Sequence, residues 1–127
     1  MVFGKKVRAG RAAVCARNTA EDIHRAVVTV YEQFVKINAV HEKDIIAIHF
    51  SITSDLIAAN PATLLRSAGY ACGTALFCCS EPYIEGSMQG VIRLLFYYYG
   101  KKRSIPVYAN GAEKLRPDLF APTHNMF

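Results

Sequence analysis

The stretch from Thr74 to Tyr99 constrains this chain most. An apolar run of strand length, Thr74-Ala-Leu-Phe-Cys78-Cys79, leads to the carboxylate of Glu81; a loop with Pro82 and Gly86 follows; a second apolar run then carries one guanidinium, Arg93, in its middle. The first run predicts a strand buried on both faces. Met88, Val91, Ile92, Leu94, Leu95 and Phe96 cover nearly a whole helical circumference, which predicts a long buried helix ending at Gly100. A charge in such a place needs a partner, and two readings of Glu81 and Arg93 stand side by side. One is a structural ion pair tying strand to helix. The other is a ligand site in which a packed guanidinium gives two parallel hydrogen bonds to an anion or an ether oxygen beside a carboxylate.

The 127 residues, just over half of them hydrophobic, suffice for one domain with a single core, residues 1–127. No apolar segment is long enough to span a membrane, and the N-terminus lacks the charged-then-apolar layout of a signal peptide; a soluble, cytoplasmic protein is expected. Cys15, Cys72, Cys78 and Cys79 form no C-x-x-C pair and have no His at ligand spacing, so neither a metal site nor a disulfide framework is indicated. A net charge of +5 fits an anionic partner. Basic clusters lie at Lys5, Lys6, Arg8 and Arg11 and at Lys101, Lys102 and Arg103, but no nucleic-acid motif accompanies them, and a small dicarboxylate fits the same balance.

In chain order, a small-residue strand from about Lys6 to Val14 places Arg8 and Arg11 on opposite faces, so at most one reaches a shared pocket. Asn18-Thr19 followed by Glu21 and Asp22 starts a covering helix that runs to about Ile37, with His24 at its surface. Asp44 to Thr53 is a β-branched strand holding His49, read as a hydrogen-bonded core or interface residue outside the site. Asn60-Pro61 caps a short helix to about Ser67, with Thr63 and Arg66 on it. A last strand spans Ile105 to Tyr108, and Asn110-Gly111 is a turn. Pro117 and Pro122 argue against regular structure in the tail, which is expected to be loosely ordered from about residue 117. The fold class is α/β, a mixed sheet with packed helices.

Read together, these features resemble the AroH-class chorismate mutases of bacilli. An Arg in a small-residue first strand precedes Asn-Thr-x-Glu; Thr53-x-Asp-Leu, Pro61-Ala62 with Arg66, Cys78-x-x-Glu81, Arg93 twelve residues on, Val107-Tyr108 and Leu-Arg116-Pro-Asp-Leu follow in order, covering roughly residues 7 to 119. The resemblance implies a cofactor-free, metal-free homotrimer, a trimeric pseudo-barrel with sites between subunits. It implies the pericyclic rearrangement of chorismate to prephenate in aromatic amino-acid biosynthesis. By matching positions, Arg93 serves the ether oxygen and a carboxylate, Glu81 the ring hydroxyl side, and Arg11 and Tyr108 a substrate carboxylate, with Arg8 the alternative to Arg11, while Arg116 comes from a C-terminal tail that closes on the site. Cys78 lines the pocket beside Glu81, and Asn60, Ala62, Thr63 and Arg66 come from the neighbouring subunit. The family usually has an aromatic where Asn60 stands and a Lys where Thr63 stands, which predicts a raised Michaelis constant more than a lost turnover. The rival reading is a non-catalytic trimer that binds a related dicarboxylate.

Overall fold

A computed structural model of the chain describes residues 4–120. Five strands form one mixed sheet in the order β3-β2-β4-β1-β5, comprising β1 Lys6–Cys15, β2 Ile45–Ile52, β3 Ala75–Ser80, β4 Val91–Gly100 and β5 Val107–Ala109. Strand β4 lies at the centre, antiparallel to β1 on one side and to β2 on the other; β3 runs parallel to β2 and β5 parallel to β1.

One face of the sheet is covered by α1, Ala20–Ile37, flanked by the short α2, Pro61–Ser67. Helix α1 begins where Thr19 accepts a hydrogen bond from the Asp22 amide, and it turns Ile23, Val27, Val30, Tyr31 and Phe34 inward at helical spacing. Against them stand Ile92, Leu94, Phe96 and Tyr98 of β4, each no more than 2% exposed. Phe34 stacks on Phe96 with ring centroids 3.9 Å apart. Gly10 of β1, opposite Phe96, makes room for this stack, because a Cβ there would come within 2.4 Å of the Phe34 ring.

The segment expected to be a buried helix after Glu81 is therefore a strand. Its burial alternates, with Ile92, Leu94, Phe96 and Tyr98 on the helix-covered face and Arg93, Leu95, Tyr97 and Tyr99 on the other. Val, Ile, Phe and three consecutive Tyr suit a pleated surface, and ladders on both sides, ten pairs with β1 and seven with β2, outweigh what an isolated helix of the same apolar content would gain.

Strand β3 is also not buried on both faces as its apolar run implied. It is an edge strand, with Phe77 61% exposed. A 3₁₀ turn, Ala112–Leu115, follows β5, and the tail from residue 117, expected to be loosely ordered, begins with one turn of helix, α3 Pro117–Phe120. Pro117 stands at the first helical position, the one place where a missing N–H costs nothing. Pro122 and the rest of the expected loose tail lie outside the described residues.

Candidate active site

The uncovered face of the sheet carries the charged groups, and the ladders decide which of them meet. Arg93 pairs with Ser51 of β2 and Ala13 of β1, and Tyr108 of β5 lies beside Ala13. Arg11, opposite Leu95, shares this face. Arg8 projects on the face with Tyr98, and its guanidinium donates to the carbonyls of Gly100 and Lys101. It pins the basic loop and stands away from Arg93.

Glu81 lies one residue beyond β3. Its amide donates to the Ile52 carbonyl at 2.7 Å, extending the parallel pairing by one step and bringing its side chain across β2. One carboxylate oxygen, Oε2, then accepts from the Ser51 hydroxyl at 2.5 Å and from Arg93 Nε at 2.8 Å. The ion pair inferred from the sequence is real, but it joins a strand end to a strand. It is also open, with the Arg93 side chain 43% exposed and that of Glu81 22%. Among the described residues only Nε of Arg93 is engaged, which leaves its terminal N–H groups for a ligand. The ion pair of the first reading is thus present, and the guanidinium that the carboxylate orients lines a cleft.

That cleft, about 550 Å³, is lined by Arg11, Arg93, Tyr108, Arg116, Ser51 and His49. Arg116 is held by a bidentate pair with Asp118, Nε at 3.0 Å and Nη2 at 2.8 Å. Hydrogen bonds from Arg116 hold the Asp118 carboxyl below the usual carboxylate range. Three guanidiniums converging on one cavity suit a ligand with two carboxylates.

The remaining residues expected in the site are elsewhere in the single chain. Asn60 caps α2, its side chain accepting from the amides of Ala62 and Thr63 at 2.9 and 3.5 Å. Arg66, in the last turn, donates to the Thr74 carbonyl at 3.0 Å and so ties α2 to the start of β3. Cys78 pairs with Phe50 on the helix-covered face, where burial pushes its thiol up; it does not share the face of Arg93. The cysteine on the cleft face is Cys79, beside Ser51. Asn60, Ala62, Thr63, Arg66 and Cys78 thus group at the α2–β3 side of the chain. Arg11, Tyr108 and Arg116 sit toward β5, the opposite edge.

His49 is the residue that sequence reading left out. It is exposed rather than a core residue, on the cleft face opposite Leu95. The signal was its spacing of two from Ser51, which puts both on one face of β2.

A larger cavity of about 710 Å³ lies between the start of α1 and the end of β1, but its Asp22 is already bonded to the Arg17 amide and to Arg25. Among the described residues no group of three or more His, Cys, Asp or Glu could hold a metal ion. No described helix is long and apolar enough to cross a membrane.

The sequence profile of the family described as chorismate mutase type I matches residues 7–119. The chorismate mutase AroH of Thermus thermophilus is 31% identical over 118 residues, covering 89% of this chain and 96% of that protein. The solved structure of a chorismate mutase from Clostridium thermocellum superposes with a TM-score of 0.79 at 34% identity, over 84% of this chain and 97% of that one.

Proposed function

This chain belongs to the type I chorismate mutase family, and we propose that its cleft converts chorismate to prephenate, in the cytoplasm, as a step of aromatic amino-acid biosynthesis. The observation that carries the assignment of the site is the Ser51–Glu81–Arg93 arrangement on the open sheet face.

The reaction breaks an ether bond as a carbon–carbon bond forms, within one molecule. It needs the flexible enolpyruvyl arm folded over the ring, and its transition state gathers negative charge on the ether oxygen and positive charge on the ring. Arg93, fixed through Nε, presents its terminal N–H groups to the ether oxygen and the adjoining carboxylate. Glu81 has its second oxygen available to accept from the ring hydroxyl as the ring becomes electron-poor. Because Oε2 is already committed to Ser51 and Arg93, neither group has to reorient as charge develops. Arg11, Tyr108 and Arg116 hold the carboxylates and keep the substrate compact.

Asn60, Ala62, Thr63 and Arg66 belong to this site through assembly. They occupy one side of the chain and Arg11, Tyr108 and Arg116 the other, so a head-to-tail ring joins the two halves at each seam. We assign a closed homotrimer, three chains with three sites. The exposed apolar residues of the uncovered sheet face, Val7 and Phe77 among them, support this, since such a face needs a cover.

The test is loss of chorismate absorbance with prephenate detected as product. Arg93→Ala should lower kcat by about 10²-fold or more while the fold persists. Activity surviving within about tenfold would show that the guanidinium is not the electrostatic catalyst.

A further inference from the structure

The cleft contains a titratable ring that the proposed chemistry does not use. His49 projects from β2 between two aromatic side chains, Phe77 of β3 and Tyr97 of β4, each with its ring centroid 5.9 Å away. The Tyr97 ring meets it edge-on at 87° and the Phe77 ring is tilted by 50°. These contacts fix the plane of the imidazole, yet its nitrogens have no hydrogen-bond partner among the described residues. In a row that reads Phe77, His49, Leu95, a third apolar side chain would pack as well. An imidazole positioned by its neighbours and bonded to none of them has its polar edge free for a ligand.

The groups facing it define that ligand. Arg93 on β4 is its diagonal neighbour, one strand across and two residues along, and beyond Leu95 lies Arg11 of β1. Tyr108 of β5 and Arg116 after the 3₁₀ turn line the same cavity. On its own strand it has Ser51, and from β3 the nearby groups are Cys79 and, at the strand end, Glu81, which is spent on Ser51 and Arg93. We infer that His49 is a substrate-binding residue, a proton-dependent donor to a carboxylate of the dianion in this cleft. The inference rests on the assignment of that cleft to chorismate.

The sign follows from charge. An imidazolium at this position faces the guanidiniums of Arg11, Arg93 and Arg116 across the cleft. A bound dianion offsets that repulsion and gives an imidazolium an acceptor, so binding should strengthen as the pH falls. Chorismate is fully ionised near neutral pH, so the proton belongs to the protein.

The Michaelis constant is measured from about pH 8 to about pH 6 for the wild type, His49→Gln and His49→Leu. The wild-type constant should fall by about three- to tenfold, and neither variant should follow it, with the change in KM exceeding that in kcat. Calorimetric titration with prephenate, the product dianion, in two buffers of different ionisation enthalpy should show proton uptake in the wild type and none in His49→Gln. A wild-type KM that ignores pH, or a His49→Gln variant that keeps the wild-type slope, overturns the inference. So does loss of assembly in both variants by sedimentation, which would make His49 a seam residue. A wild type without turnover at any pH would instead overturn the mutase assignment, and prephenate titration would still report on His49.

Discussion

Arg116 already holds a carboxylate before any substrate arrives. Its bidentate pair with Asp118 occupies the fork that a substrate carboxylate takes in the proposed site, so capture there exchanges one carboxylate for another. The side chains are 40% and 62% exposed, so water screens the pair and holds it weakly. Asp118→Asn should therefore lower the KM for chorismate by about two- to fivefold with kcat little changed. A rise in KM would show that Asp118 aims Arg116 rather than competing for it. On the opposite side of the chain, Asn60 stands where the family usually has an aromatic because here it caps α2. Thr63, exposed in the first turn, has no such duty. Thr63→Lys should lower KM by adding a cation to the wall, and no change would mean that this wall does not touch substrate. The sequence showed Arg93, Glu81 and the Asn60 cap. It could not choose between Arg8 and Arg11, because the choice depends on which face of β1 the helix covers.

At the scale of elements, the sequence disclosed β1, α1, β2 and α2 to within a residue or two, since caps and β-branched runs are local signals. Strand β4 was not legible: eight apolar or aromatic residues around Arg93, with no breaker before Gly100, fit a buried helix until ladders on both sides are known. Its start is specified by a junction whose parts are far apart in sequence. The Thr53 hydroxyl accepts from the Val91 amide at 3.0 Å, Asp55 accepts from the Gly90 amide at 3.1 Å, and the Gly90 carbonyl accepts from the Ala16 amide at 2.8 Å. Gly90 has φ of +69°, and a Cβ on it would lie 2.9 Å from the Ala16 carbonyl oxygen. Gly90→Ala should thus destabilise the fold by about 1–3 kcal/mol, read as a lowered melting temperature. An unchanged melt would mean that the junction yields freely. Burial pushes the Asp55 carboxyl up, but bonds from the Thr53 hydroxyl and the Gly90 amide outweigh it and hold it low. Its folded value lies below its unfolded one, so its contribution is present at neutral pH and is lost as the pH falls through the lowered value. Asp55→Asn should lower stability at neutral pH, and its deficit relative to the wild type should shrink on acidification below about pH 4. A deficit independent of pH would assign the loss to geometry alone.

For the whole molecule, one face of the sheet is sealed by α1 while the other exposes Phe77 and Val7 beside the charged cleft. The α2–β3 side carries Arg66 and the opposite side carries Arg11, Tyr108 and Arg116. The proposed division of the site between subunits makes a prediction that no single-chain site can meet. Arg93→Ala removes a group from one half, and Arg66→Ala removes one from the other, at the loss of a single hydrogen bond to the Thr74 carbonyl. Each homotrimer should be nearly inactive. If equal amounts of the two are unfolded together and refolded, chains mix at random around each ring. A seam is intact when its Arg93 half comes from the Arg66→Ala chain and its facing half from the Arg93→Ala chain, so about one seam in four is intact and about a quarter of wild-type activity returns. That recovery should be absent when the two refolded homotrimers are combined without unfolding. No recovery after joint refolding, with trimers confirmed by sedimentation, would place Arg66 and Arg93 in the same chain's site and remove the reason for the ring.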